Sequence, residues 1–281
     1  MILTEELVFR LVLTFLAMGV WVTAIALATE RWGGKLGGFL VGIPSTSALS
    51  FFFTGLYVSP IAASNATNAF PVFISLTGLM LLIFGFTVRK GFAFGVITST
   101  LVWFLICLVF IYVELDNFEL SFVASMAILV ILYAGFRWWL RPKALTQARP
   151  RHTVPILVLR FIFGGSAVTL AVLMGQLGIP ILSGMFAAFP ALTISSLVAI
   201  KMSKEDVGFE RAGGMIMSMM ISIMIMCIPY SVAVHYLYPT LGVIYGTGMA
   251  FAVALVVGIS YYYLVEDYLV PSLHPMVDGD Q

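Results

Sequence analysis

Nine apolar runs, each close to the length that crosses a bilayer, govern what this chain can become. A helix rising 1.5 Å per residue needs about 20 apolar residues to span the hydrocarbon. Such runs stand near residues 7–29, 36–58, 68–88, 91–113, 120–140, 155–178, 180–200, 212–235 and 240–264. Only 10% of the residues are charged and 61% are hydrophobic, against about 25% charged in a soluble domain. The chain could not cover its own surface in water, so it reads as an all-α polytopic membrane protein. Net charge is +1, which gives no basic footprint for nucleic acid. Cys107 and Cys227 lie inside apolar runs and His152, His235 and His274 are scattered. Neither a disulfide framework nor a metal or other cofactor is expected. No Ser-His-Asp set or phosphate loop appears, so an enzyme is not expected either. Ala26-Leu27-Ala28 mimics a signal-peptide cleavage site, but Glu5-Glu6 stand where a signal peptide is basic.

Charge orients the spans. Of the 14 Lys and Arg, 12 fall in the segments 31–35, 89–90, 137–151 and 201–211, which nine crossings put on one face. The opposite connections, 58–67, 114–119, near 178 and 236–239, hold no Lys or Arg. Basic loops stay cytoplasmic. The expectation is therefore the cell (inner) membrane, with the N-terminus outside and the C-terminus cytoplasmic.

The two halves echo each other. GGFLVGIPSTSALS, Gly37 to Ser50, is matched by SGMFAAFPALTISS, Ser183 to Ser196. At an offset of 146, Pro44 falls on Pro190, Gly38 on Gly184, Ser47 on Thr193 and Ser50 on Ser196. Leu7-Val8-Phe9-Arg10 meets Leu157-Val158-Leu159-Arg160 at 150, and Gly95-Val96-Ile97 meets Gly242-Val243-Ile244 at 147. This divides the chain into a four-helix unit over 1–116, a linking helix and basic cytoplasmic loop over 117–152, a second unit over 153–265 and a tail over 266–281. One crossing between the units inverts the second against the first, an architecture shared by many secondary transporters.

Pro44 and Pro190 each fall near the middle of a run. Proline lacks an N–H and clashes with the preceding turn, so a helix breaks before it. It suits the start of a new helical segment, whose first N–H groups and positive dipole end then point at the break. The expected substrate-binding set is Gly42, Pro44, Ser45, Thr46, Ser47 and Ser50 with Pro190, Thr193, Ser195 and Ser196, joined by Arg10 and Arg160. Two plainer readings stand beside it. Serine and threonine often bond back to their own helix, and an arginine near a helix end snorkels to the interface. No Asp or Glu is clearly inside a span, which weighs against carboxylate-based cation coupling. The methionines from Met215 to Met226 suit adaptable packing. Asn65-Ala66-Thr67 is a glycosylation sequon, and Asn65 and Asn68 are placed to border an outer mouth.

Gly184-Met185-Phe186-Ala187-Ala188-Phe189-Pro190-Ala191-Leu192, followed by Glu210-Arg211 and Ile228-Pro229-Tyr230, resembles the GlpM-type small membrane proteins. The likeness covers about Leu177 to Leu264. It implies a fusion of two four-helix units and brings no substrate. The first functional expectation is a secondary transporter or exporter of a small solute, an anion among the candidates, working by alternating access at the two broken helices. The alternatives are a lipid-linked phosphate flippase, with Arg10 and Arg160 on the headgroup, and a non-transporting membrane accessory protein. Expected partners are membrane lipid and a small-molecule or lipid-headgroup substrate, with the protein a monomer or homodimer.

Overall fold

The computed structural model describes residues 5–32, 43–135, 154–202 and 209–264. Among the described residues the regular structure is entirely helical. It comprises α1 (Glu5–Trp32), α2 (Ser45–Tyr57), α3 (Pro60–Ala66), α4 (Phe70–Thr87), a 3-10 turn (Val88–Lys90), α5 (Phe92–Tyr112), α6 (Phe118–Gly135), α7 (Val154–Gln176), α8 (Pro180–Ala187), α9 (Ala191–Met202) and α10 (Phe209–Leu264). Among the described residues five stretches are long and apolar enough to cross a membrane: Glu5–Ile25, Phe70–Lys90, Phe92–Tyr112, Val154–Gln176 and Ile225–Tyr261. They point to a membrane protein.

Two elements differ from the sequence expectation, each for a local reason. The connection 58–67 holds a helix, α3, because Ser59 accepts the Ala62 N–H as N-cap and Pro60 takes the first helical position. The last two runs are two helical arms, together α10, with the first continuous through Pro239 and the turn between them at Gly242 (φ 74°, ψ 177°). Its two arms fold back on each other there. Tyr238 bonds Thr247, Tyr230 packs edge-on against Phe251, and Met226 lies against Gly258. These pairs run in opposite chain directions, as in a helical hairpin.

The core centres on α4, which is buried along nearly its whole length between α5, α6 and α10. Phe51, Phe70 and Phe73 fill the middle, and the indole of Trp103 donates to the Phe73 carbonyl at 3.3 Å. On the other side α1 packs along α7. The Phe15 and Phe161 rings meet edge-on at 5.4 Å, Gly165 lies under Phe15, Gly19 under Phe161 and Gly164 under Met18. Low numbers on one helix meet high numbers on the other, so the pair is antiparallel. A double variant Phe15→Cys with Gly165→Cys is expected to cross-link efficiently in membranes, since the native Cys107 and Cys227 are buried. Absence of cross-linking would overturn this packing.

One end of the bundle, where α1 begins and α2 ends, is closed by polar contacts. The Ser64 hydroxyl donates to the His235 carbonyl at 2.7 Å, and the His235 ring stacks on Phe118 at 4.1 Å. Thr67 donates to the Ser64 carbonyl at 2.6 Å, which leaves its oxygen to accept from His235 Nδ1 at 3.0 Å. Asn68, expected at an open mouth, donates to Asp116 at 2.7 Å, while Asn65 is exposed. These contacts tie α3 to both α6 and α10.

Candidate functional site

Pro190 interrupts its run between α8 and α9 as expected, Pro44 stands immediately before the start of α2, and the two positions share one hydrogen-bond pattern. At the first, the Ser45 N–H reaches back to the Ile43 carbonyl at 2.7 Å and the Ala48 N–H bonds Pro44 at 2.8 Å. At the second, Ala191 reaches Phe189 at 2.8 Å and Ile194 bonds Pro190 at 2.9 Å. All four residues recur at the offset of 146 found in the sequence. Before the second break, α8 closes with Ala188 bonded to Gly184 and Phe189 bonded to Phe186.

A prolyl N-cap has no side-chain acceptor, and Pro44 makes no side-chain cap. The first N–H groups of a helix have no partner inside it, so those of Thr46 and Ser47 are presented at the break. Pro44, Ser45, Thr46, Ser47 and Ser50 are all buried. The Ser47 hydroxyl bonds the Pro44 carbonyl at 3.3 Å and faces the Cys227 thiol of α10. Ser50 and Thr54, both 0% exposed, place their hydroxyls where no partner reaches them among the described residues. The spacing 47, 50, 54 puts all three on one helix face. The Tyr230 hydroxyl is buried beside the Tyr238–Thr247 pair. An unbonded buried hydroxyl costs about 1–3 kcal/mol, and Thr77, Thr100 and Thr169 share this state elsewhere in the bundle.

Contacts fix the register. Gly175 of α7 lies against the Thr54 side chain, Ser47 faces Cys227, and Gly55 lies against Tyr238 and Val243. Thus α2 runs parallel to α7 and to the first arm of α10. Leu49 of α2 and Leu192 of α9 join one cluster built on Val168 and Val172 of α7. That cluster also holds Met18 and Val22 of α1 and Phe53 of α2, and both α2 and α9 pack on α7. At the second break Pro190, Thr193 and Ser195 are buried. Ser195 donates to the Leu192 carbonyl at 2.9 Å, the back-bonding expected of an ordinary helical serine. Gly42 and the Ser196 side chain fall outside the described residues.

Arg10 is not brought to either helix start. Arg10 pairs with Glu6, donates to the Tyr57 carbonyl at 3.2 Å and lies over the Tyr57 ring at 5.3 Å. Tyr57 is the last residue of α2, a helix length away from Pro44, so Arg10 serves the bundle end. An i,i+4 acid–base pair on a first turn is a surface arrangement. Arg160 is buried on α7; eight residues separate it from Val168, about 12 Å at 1.5 Å per residue. Sequence reasoning missed Thr54, whose signal was the continued 3–4 spacing of hydroxyls, and gave Tyr230 no polar role.

Comparison with known proteins adds one match. A family model described as a protein of unknown function (DUF3147) matches residues 157–266. No curated protein and no solved structure matches. The matched segment takes in most of α7 to α10, and the family's description names no activity; over these residues the chain is similar to a family of unknown function.

Proposed function

We propose that the protein is a secondary transporter or exporter of a small solute, with its site at the membrane midplane between the starts of α2 and α9. The chain then crosses nine times, with its N-terminus outside, as two inverted units. Three observations support this reading. Both breaks carry the same backbone bonds at the same offset; α1 and α7, the first helices of the two units, pack antiparallel; and the family match covers one unit, as a module would. The first carries the most weight. An interrupted helix in lipid is tolerated where the break is buried in protein or lines a cavity, and here α2 and α9, which begin at the two prolines, both pack on α7. Inversion points the two starts at each other from opposite sides, the geometry of a midplane site. The tied end at Ser64, Thr67 and His235 then closes the outer side in this conformation.

A flippase with an arginine in each leaflet is the weaker reading, because Arg10 is already paired with Glu6. An accessory role without transport gives no reason for the backbone bonds that recur at Pro44 and Pro190. Single cysteines at positions 45–50 and 193–195, labelled with membrane-impermeant maleimide from each face, test the proposal. Labelling that alternates between faces supports transport. Uniform protection at every position would sink it.

A further inference from the structure

We infer that the protein is built as two bodies that move against each other: α1 with α7, and α3 to α6 with α8 and α10, strapped together by α2 and α9. The inference deepens the transport reading, on which it rests, by naming the parts that move. Two separate apolar cores carry it. The smaller is Met18 and Val22 of α1, Val168 and Val172 of α7 and Phe53 of α2. The larger is centred on Phe73 and Leu81 of α4, with Trp103 of α5, Leu132 of α6 and Val234 of α10. Among the described residues no side chain of α1 belongs to the larger core, and α7 adds only Ala171 and Phe163. Packing agrees: α1 lies on α7 and α2, while α7 lies on α1, α2, α8 and α9 with a short edge against α3.

The two helices that begin at Pro44 and Pro190 straddle this division. In α2, Ala48 and Phe51 enter the larger core while Leu49 and Phe53 enter the smaller. In α9, Ile194 and Leu197 go to the larger and Leu192 to the smaller. Helices that correspond in the repeat thus hold corresponding places, α1 with α7 in one body and α2 with α9 as straps. Hydrogen bonds follow the same line. Ser64 reaches His235, Trp103 reaches Phe73 and Tyr236 reaches Glu119, all within the larger body. Arg10 of α1 bonds the Tyr57 carbonyl of the strap α2.

Each body is stiff and the seam between them is soft. The rings of Phe15 and Phe161 fit over Gly165 and Gly19, which interlocks α1 with α7. On the other side, Gly184 sets α8 against the Ala66 backbone of α3, and Phe189 meets Trp103 edge-on at 5.7 Å. Where α7 faces α8 and α2, small and hydroxyl-bearing side chains replace this interlocking: a Cβ on Gly175 would stand 2.8 Å from Thr54 and 3.5 Å from Ser183. At 3.6 residues per turn, Ser50 and Thr54 fall between the Phe51 and Phe53 directions of α2, on the flank that separates the two cores. Both are 0% exposed and their hydroxyls have no partner among the described residues. Parting the bodies along that flank admits water to them and removes the cost of keeping them dry. Joints stand at both ends of α8: Gly178, at φ 74°, towards α7, and the break at Pro190 towards α9. Well-packed bodies shift as units across such seams and do not deform continuously.

The test measures distances between spin labels by pulsed electron resonance on the full-length protein in lipid nanodiscs. Phe9 and Val158 of the smaller body and Ile97 and Val123 of the larger are exposed, so cysteines there accept labels while the native Cys107 and Cys227 stay buried. The pairs 9–158 and 97–123 lie within bodies and should each give one narrow distance. The pairs 9–123 and 97–158 cross the seam at opposite ends of the bundle. Each should give two populations about 5 Å apart, the size of a one-turn shift. A Phe15→Cys, Gly165→Cys cross-link, formed before labelling, should leave both populations in place. A single narrow distance across the seam, equally broad distances within the bodies, or loss of the second population on cross-linking would each overturn the inference. Maleimide labelling separates the two levels. Two populations without alternating access uphold the moving bodies and count against transport, whereas alternating access with one distance across the seam upholds transport and removes this division.

Discussion

Replacing Gly184 with alanine is expected to lower the unfolding free energy by about 3 kcal/mol, the upper end of the overpacking range. A Cβ built on Gly184 would stand 2.1 Å from the carbonyl oxygen of Ala66. Contact that close has to be relieved, and the neighbour decides how. At Gly19 the obstacle at the same 2.1 Å is the Phe161 ring, a side chain that can turn aside. At Gly184 it is backbone, and that backbone is held on both sides. Ala66 ends α3, whose start is capped by Ser59 and whose far end is tied through Ser64 and Thr67 to His235. Relief must come from displacing α8 or breaking those ties. Gly248→Ala is the control: its Cβ meets nothing within 4 Å, and alanine is the better helix former. Denaturant titration in mixed micelles should rank wild type and Gly248→Ala together, well above Gly184→Ala. Equal stability of all three would show that α8 and α3 do not meet in this way.

Gly184 also shows where the sequence stops being readable. The residue was visible as the partner of Gly38 in the repeat, yet nothing local marks it as the place where two backbones touch. That fact depends on α3, which had been read as loop. The break at Pro190 and the helix start after Pro44 were legible because proline acts on its own helix: it removes a donor and fixes φ wherever it stands. The helix ends were legible for a similar reason, being set by apolar length. The hairpin in α10 was half legible. The reversal was expected near 236–239, but its turn is at Gly242, where only a positive φ reveals it. Arg10 was misplaced because an apolar run hides which turn faces water, although Glu6 four residues earlier was the clue. The unbonded state of Ser50 and Thr54 could not be read at all, since a helical hydroxyl looks the same in sequence whether or not it bonds its own backbone.

Pro190→Ala should separate a site from a defect, because the two predict opposite correlations between stability and function. In the native chain Pro190 offers no N–H, and Ala191 turns back to Phe189. Alanine at 190 supplies a donor four residues beyond the Phe186 carbonyl, so α8 and α9 can join as one helix. Removing an interior proline relieves up to about 3 kcal/mol, and the variant is expected to be at least as heat-stable as wild type. The first-turn N–H groups of α9 would then be consumed by α8 carbonyls, and the second helix start would vanish from the site. Accessibility of a cysteine at Thr193, which is buried beside that start, should accordingly fall at least tenfold from both faces. Were the break a mere kink, straightening it would raise stability and leave the labelling of that cysteine unchanged. Stability retained together with alternation lost is the outcome that a break kept for function demands, since proteins hold such strained positions at sites and lose activity when they are made regular.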